Sequence, residues 1–448
     1  MTALAVVLLL AGVAGALWRP FGSPAWLVPV VAAAVGALAG TTGVGASVTA
    51  LRALLAPIAF LLAAVPLSVL LDELGFFRAA ARRLAGRSGS LGGLWLLAAG
   101  VTTVLNLDAA VVLLTPLYIR IARSRDLDPL ALAFQPLVLA WLASSALPVS
   151  NLTNLIAASE TGASATSFLV HLGPPSLAAV LVGWWAYRSA FRPGNRQCRS
   201  GPAGPAAPPS ALPSREATAG SGGPAGSGGP AGSAPCPEPC PPAPALAPGS
   251  TGPSDRRALG TGGVVVAVVL VGFVVGRYAG ISAWEVALGA DALLLVRRGF
   301  RAPPWGAAPV GTAAVAASLG VLATAVVAHL PIGRWLGGGV GLLGLARVAG
   351  LSALAANFIN NLPALLVLLP SLGRRRPELW AALVGVNMGP VLLVTGTLAS
   401  LLWVDTVRRM GVAVRAADVS RAGLRVGLPG AAAGLAVLLA MRAAGIGT

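Results

Sequence analysis

Asn106-Leu-Asp-Ala-Ala-Val-Val-Leu-Leu-Thr-Pro116 and Asn361-Leu-Pro-Ala-Leu-Leu-Val-Leu-Leu-Pro370 are the two stretches whose reading decides the fold. Each puts polar side chains in the middle of a long apolar run. The first lies between two basic clusters, Arg78, Arg82, Arg83 and Arg87 on one side and Arg120, Arg123 and Arg125 on the other. Basic clusters between apolar runs mark the cytoplasmic face of a membrane protein, so both belong on the same side. Residues 88–119 separate them, far more than the roughly 20 that one crossing helix needs. Two arms that enter and leave by the same face, meeting at the tip Asn106-Leu107-Asp108, satisfy length and charge together. The second stretch has the same shape, running from about Gly337 to Leu372 with Asn357, Asn360 and Asn361 inside it. Non-helical backbone at such depth is tolerated only within protein or beside a water-filled cavity.

Composition agrees. Of 448 residues, 56% are hydrophobic and 10% charged, and mean hydropathy is +0.82. A soluble domain needs roughly 25% charged residues to cover its surface. The net charge of +17 does not point to nucleic acid, because the arginines sit between apolar runs, where they set orientation. Every basic residue other than the two histidines is Arg. The three cysteines, Cys198, Cys236 and Cys240, share one polar stretch, and His171 and His329 are far apart, so neither a metal site nor any other cofactor is expected. No nucleotide-binding loop or hydrolase elbow supports an enzyme.

Apolar runs predict spans near 3–17, 24–40, 53–71, 129–149, 164–187, 259–276, 282–296, 306–330, 378–403 and 424–441. The first is read as a span rather than a signal peptide, since it lacks a basic leader. The expected fold is therefore an all-α polytopic membrane protein, with about five transmembrane helices and one re-entrant hairpin in each of two repeats. The repeats cover residues 1–191 and 259–448. A Pro/Gly-rich cytoplasmic linker, 192–258, joins them and cannot bury a core. Five crossings per half is an odd number, so the second repeat is inverted, as in secondary transporters. Arg297-Arg298 and Arg408-Arg409 then fall inside, while Arg374-Arg375-Arg376 falls outside, against the rule.

Each half continues into a span broken by polar residues: Pro148-Val-Ser-Asn-Leu-Thr-Asn154 in the first, Gly385-Val-Asn-Met-Gly-Pro390 with Thr395-Gly-Thr397 in the second. Unwound helices free backbone N–H and C=O groups, and short polar side chains complete a cage. The candidate substrate-binding residues are Asn106, Ser150, Asn151, Thr153, Asn154, Asn360, Asn361, Asn387, Thr395 and Thr397. A lone Asn or Ser in a membrane helix is usually interhelical glue; four together beside a proline argue for a site. Asp108 is the acid expected deepest in the membrane and the candidate for ion coupling. Asp72 and Glu73 read as interfacial partners of Arg78 or Arg82, and Glu285, Asp291 and Asp405 as span-end acids.

At these motifs, with Leu71-Asp-Glu-Leu-Gly-Phe-Phe77 and Ser150-Asn-Leu-Thr-Asn-Leu155 among them, the sequence resembles the arsenical pump membrane proteins, arsenite/antimonite efflux permeases of the ion transporter superfamily. The resemblance spans about residues 70–410 outside the linker. It implies alternating access, a homodimer, export of trivalent arsenic or antimony hydroxide against inward protons, and in some members a soluble ATPase subunit. It also implies a multi-pass protein of the bacterial cytoplasmic (inner) membrane, whose partners are the lipid bilayer, a small inorganic solute and protons. Asn387 stands where an acid is common in that family, and Thr397 where Ser is usual. A sodium/proton antiporter or an inorganic-anion or carboxylate carrier of the same superfamily is the alternative. A non-transporting scaffold would have no use for buried polar breaks in both halves.

Overall fold

The polar interruptions do break the helices. In a computed structural model of the chain, the segment before Asn106 is a helix that stops at Val104, and the next begins at Leu107. The structure describes residues 1–18, 20–41, 43–85, 91–191, 253–297, 308–330, 336, 341–372 and 376–446. The greater part of the expected linker (192–252), all three cysteines, Arg87, Arg298, Arg374 and Arg375 lie outside the described residues. All described residues belong to one compact unit.

The first half contains α1 (Thr2–Trp18), α2 (Leu27–Leu38), α3 (Val44–Glu73), α4 (Phe76–Ala85), α5 (Leu91–Val104), α6 (Leu107–Ser124), α7 (Pro129–Leu142), α8 (Leu152–Thr161) and α9 (Ala165–Ala190). The second contains α10 (Pro253–Val275), α11 (Ala283–Arg297), α12 (Val310–His329), α13 (Leu342–Ile359), α14 (Asn361–Leu372), α15 (Arg376–Met388), α16 (Leu398–Arg409), α17 (Ala416–Ala422) and α18 (Leu428–Ala443). A π-helical turn at Gly423–Gly427 joins the last two. Strands are absent among the described residues. The chain is an all-α polytopic membrane protein.

Among the described residues, six helical stretches are long and apolar enough to cross a bilayer alone: Leu54–Glu73, Ala165–Ala190, Ser254–Phe273, Val310–His329, Leu342–Ile359 and Ala416–Ala443. Others expected as full spans are shorter, for local reasons. The run 129–149 stops at Leu142, and Leu147, which precedes Pro148, takes an extended backbone (φ −130°, ψ 153°) that keeps the helix from resuming there. The run 378–403 likewise splits at Gly389-Pro390 into α15 and α16. The expectation that Asp291 stands at a span end is corrected: it lies mid-way along α11 and is 2% exposed. α10 begins at Pro253, ahead of the linker end expected at 258, with Asp255 favourably placed in its first turn.

The two halves repeat one sequence of elements. The hairpin α5–α6 corresponds to α13–α14, and the broken pair α7–α8 to α15–α16. Equivalent helices point to opposite ends. α8 ends at Gly162, in a cavity wall shared with Pro57 and Gly280. α16 ends at the opposite pole, where Arg123 donates to Met410 O at 2.6 Å. That second pole also gathers Asp72, within reach of the charges of Arg78 and Arg120. Two basic clusters, Arg120–Arg125 and Arg408–Arg409, therefore share one end of the molecule.

Close backbone contact seats α15 on the second hairpin. A Cβ on Gly385 would collide with Ala349 O, so only glycine lets α15 lie this tightly on α13. Across the halves, Trp403 stacks on Phe134 with ring centroids 4.7 Å apart and donates from its indole to Ala133 O at 2.7 Å. Burying such rings gives the break between α15 and α16 a rigid neighbour.

Candidate functional site

The polar cage forms where α8 begins. Asn151 is the N-cap of α8, its Oδ1 accepting from Thr153 N at 3.2 Å. Its Nδ2 faces the other half and donates to Asn387 Oδ1 at 3.1 Å. Thr153 Oγ1 donates to the same oxygen at 2.6 Å, and Asn387 Nδ2 donates to Asn154 Oδ1 at 2.6 Å. Asn387, in the last turn of α15, is thus held by three residues of the opposite half. Both acceptor positions of its amide oxygen are used, and one of its two N–H groups. All four side chains are buried.

The unwound link before α8 completes the cage. Asn154 Nδ2 donates to the carbonyls of Ser144 (2.9 Å), Ser145 (3.3 Å) and Leu147 (3.0 Å). Ser150 Oγ lies 2.8 Å from Ser144 O and 2.7 Å from Leu147 O. These bonds satisfy carbonyls that a helix would have used, which stabilises the break. Ser145 Oγ is buried without a hydrogen-bond partner, leaving an unused hydroxyl beside the cage. The first hairpin reaches the same link: Thr103 Oγ1 donates to Ala143 O at 3.0 Å. At its tip Asn106 Oδ1 caps α6 by accepting from Asp108 N at 2.8 Å. Asp108 sits in the first turn of α6 with Oδ1 buried and unpartnered.

The remaining expected residues gather elsewhere. Asn360 joins α13 to α14 with φ 75° and ψ 151°, a backbone region that favours glycine. Its side chain holds that geometry, donating to Thr395 O at 3.0 Å and accepting from Leu362 N at 3.3 Å. Asn361 is buried at the start of α14. Thr397 caps α16 by accepting from Ser400 N at 3.0 Å, its hydroxyl 2.7 Å from Ser400 Oγ, and Trp141 Nε1 donates to that Ser400 oxygen at 3.2 Å. Among the described residues no hydrogen bond links Asn360, Asn361, Thr395 or Thr397 to the Asn387 cluster.

Of the expected residues, the structure brings Ser150, Asn151, Thr153, Asn154 and Asn387 into one cluster. Sequence reasoning missed Ser144 and Ser145, although a serine doublet at the end of an apolar run was a usable signal. It also left Asn357 unassigned. That side chain donates to Gly389 O at 2.9 Å and accepts from Leu392 N and Leu393 N, at 3.0 and 3.2 Å, splinting the second break.

The hydrogen-bonded network around Asn387 contains no charged side chain, and no group of three or more His, Cys, Asp or Glu that could hold a metal occurs among the described residues. Its donors and acceptors alternate. Such a cage suits an uncharged, hydroxyl-bearing solute. The partial positive charge of the α8 N-terminus also favours oxygen-rich or anionic groups.

Comparison with known proteins fits this geometry. Residues 5–395 match the family model described as citrate transporter (CitMHS). An arsenical pump membrane protein of Escherichia coli is 25% identical over 446 residues, covering 92% of each chain. Proteins of the same name from Escherichia coli strain K12 and from Shigella flexneri are 26% identical over 404 residues, 82% of each chain.

Proposed function

The chain belongs to the citrate transporter family, and from that premise we propose that this multi-pass secondary transporter exports trivalent arsenic or antimony as the neutral hydroxide, in exchange for protons. The observation that carries the reading is the Asn387 cage, built by both halves from uncharged donors and acceptors. As(OH)3 is trigonal, neutral and carries hydroxyls that both donate and accept. Each can replace a bond that the cage now makes to itself, so no thiol is needed. Substrate contacts are assigned to Ser150, Asn151, Thr153, Asn154 and Asn387, with Asn106, Asn360, Asn361, Thr395 and Thr397 shaping the tips and breaks around them.

Alternating access would work by shifting the α8 start relative to α15 and the α16 start relative to α7, the pairs that Asn387 and Trp141 bridge. Asp108, whose buried Oδ1 is unpartnered at the head of α6, is assigned to ion coupling. The end that gathers Arg78, Arg120, Arg123 and Arg408 is assigned to the cytoplasm, the membrane to the bacterial inner membrane, and residues 1–191 and 259–448 to the two repeats. A homodimer and a soluble ATPase subunit belong to the same reading.

A carboxylate or inorganic anion is the second reading, favoured by the family match and by the α8 N-terminus at the cage. The test is expression in an arsenite-sensitive bacterial strain, with cellular arsenite and antimonite measured against the vector. Lower retention, restored to vector level by Asn387→Leu at equal expression, is expected. Unchanged retention alongside citrate uptake into everted vesicles would replace the first reading with the second.

A further inference from the structure

Asp291 has no place in the cage, yet it is the most deeply isolated acid of the described residues. It sits mid-way along α11, 2% exposed, and neither carboxyl oxygen has a hydrogen-bond partner. α11 packs against α3 and α10. The charged residues of those helices are Arg52 in the first half of α3, Asp72 and Glu73 at its end, and Asp255, Arg256 and Arg257 at the start of α10. On α11 itself Glu285 is spent on Ser282 N at the first turn, and Arg297 is the last residue. Ser68, the polar side chain of α3 in this stretch, already donates to Ala64 O at 2.9 Å. An ionised carboxylate stripped of water and of partners is strongly disfavoured.

A route to solvent lies along the same helix. A cavity of about 400 Å³ is lined by Pro57, Ser159, Gly280, Ser282, Ala283 and Trp284. Trp284, Ala287 and Asp291 follow one another at helical spacing on one face of α11. From Trp284 to Asp291 the rise is about 10 Å. Ala287, fully buried in one cluster with Phe60, Ala63 and Ala64 of α3, closes the way between them. A second cavity of about 140 Å³ shares Phe273 and Ala283 with the first and runs to Leu147, Pro148 and Val149. Those residues immediately precede Ser150 of the cage. The cavity that would admit water to Asp291 thus adjoins the wall of the solute site.

We propose that the Asp291 carboxyl is a proton-binding site of the transport cycle, reached from the cavity at the start of α11 when the packing of Ala287 against α3 loosens. The proposal deepens the proton-exchange reading and rests on it. It adds a titrating group in the second half to the one assigned at Asp108, on helices outside the cage.

The test uses the full chain in proteoliposomes and has two independent arms. In the first, dicyclohexylcarbodiimide, which attacks protonated carboxyls in apolar surroundings, is applied between pH 5 and 9, and adducts are mapped by mass spectrometry. Labelling of Asp291 that declines as pH rises is expected; no adduct at any pH overturns the proposal, whatever the solute. In the second arm, Asp291→Asn should keep arsenite counterflow, which needs no net proton movement, within about twofold. Uphill arsenite movement driven by a pH gradient should fall at least tenfold and recover in part in Asp291→Glu. Gradient-driven movement unchanged in Asp291→Asn overturns the proposal. If wild-type protein carries no arsenite, the solute assignment fails instead, and the labelling arm still decides Asp291.

Discussion

Trp141 and Asn387 hold equivalent places in the two halves. Asn387 precedes the cap residue Thr397 by the same ten positions by which Trp141 precedes Asn151, and each bonds to the helix start of the opposite half. Around Asn387 an amide meets an amide, a hydroxyl and a second amide, all able to exchange partners with a solute. Around Trp141 one indole N–H meets one hydroxyl, and the rest of the contact is a buried ring. A solute can enter the first by replacing hydrogen bonds one for one. It can enter the second only by displacing a large side chain from the core. The repeat thus builds two poles of one design and leaves a single one open to chemistry.

The sharpest way to break this contrast is to remove the amide. Asn387→Leu has similar bulk but strands the Asn151 and Thr153 donors and the Asn154 acceptor. A buried unsatisfied group costs about 1–3 kcal/mol, and about 1.4 kcal/mol is tenfold in rate. Transport should fall at least ~100-fold while the protein still reaches the membrane, read as solute flux per milligram in everted vesicles. A comparable loss in Trp141→Phe would mean that both poles engage the solute and the contrast is false.

Asn387→Asp sharpens the same point through pH. Asn154 cannot turn its amide to suit a carboxylate without giving up its bonds to Ser144, Ser145 and Leu147. The new carboxyl must therefore carry a proton towards Asn154 Oδ1. Protonated, it imitates Asn387; ionised, it sets oxygen against oxygen. Transport by Asn387→Asp should approach the wild-type rate in acid and fall as pH rises through the titration of the new group. A pH profile parallel to wild type would show that the Asn154 bond is dispensable.

Trp141→Phe keeps most of the ring and loses one bond to Ser400. Single interhelical hydrogen bonds in membranes average about 0.6 kcal/mol. Flux should stay within about threefold, and the melting temperature in detergent should drop by no more than about 2 °C.

Much of this arrangement was legible in the residues. Asn106 and Asn360 interrupt apolar runs too long for one helix, so both hairpins followed from length, and the first from charge as well. Pro148 and Gly389-Pro390 marked the breaks, because a residue before proline leaves the helical region. Partners across the halves were not legible. Nothing local distinguishes Thr153, which bonds Asn387, from Thr397, which bonds its own helix, since the difference lies in which residue the other half presents. Asp291 was misplaced for a related reason. Arg297-Arg298 follows it closely and suggests a helix end in water, whereas burial depends on how α3 covers that face.

The two hairpin tips give the smallest and most discriminating test. Asn106 has nearly extended backbone, while Asn360 has φ 75° and relies on Thr395 O and Leu362 N to hold it. A non-glycine residue in such a region costs roughly 1–3 kcal/mol. Asn360→Gly removes that strain, forfeits two bonds of modest worth and adds chain entropy to the unfolded state, about 0.5–1 kcal/mol. These effects nearly cancel, so thermal stability in detergent should change by less than about 0.5 kcal/mol. Asn360→Ala forfeits the same bonds and keeps the strain, so it should lose about 1–2 kcal/mol more than the glycine variant. At Asn106, where no left-handed backbone needs relief, glycine should have no such advantage over alanine. Equal losses for glycine and alanine at Asn360 would mean that its hydrogen bonds, rather than its backbone, set the second tip apart.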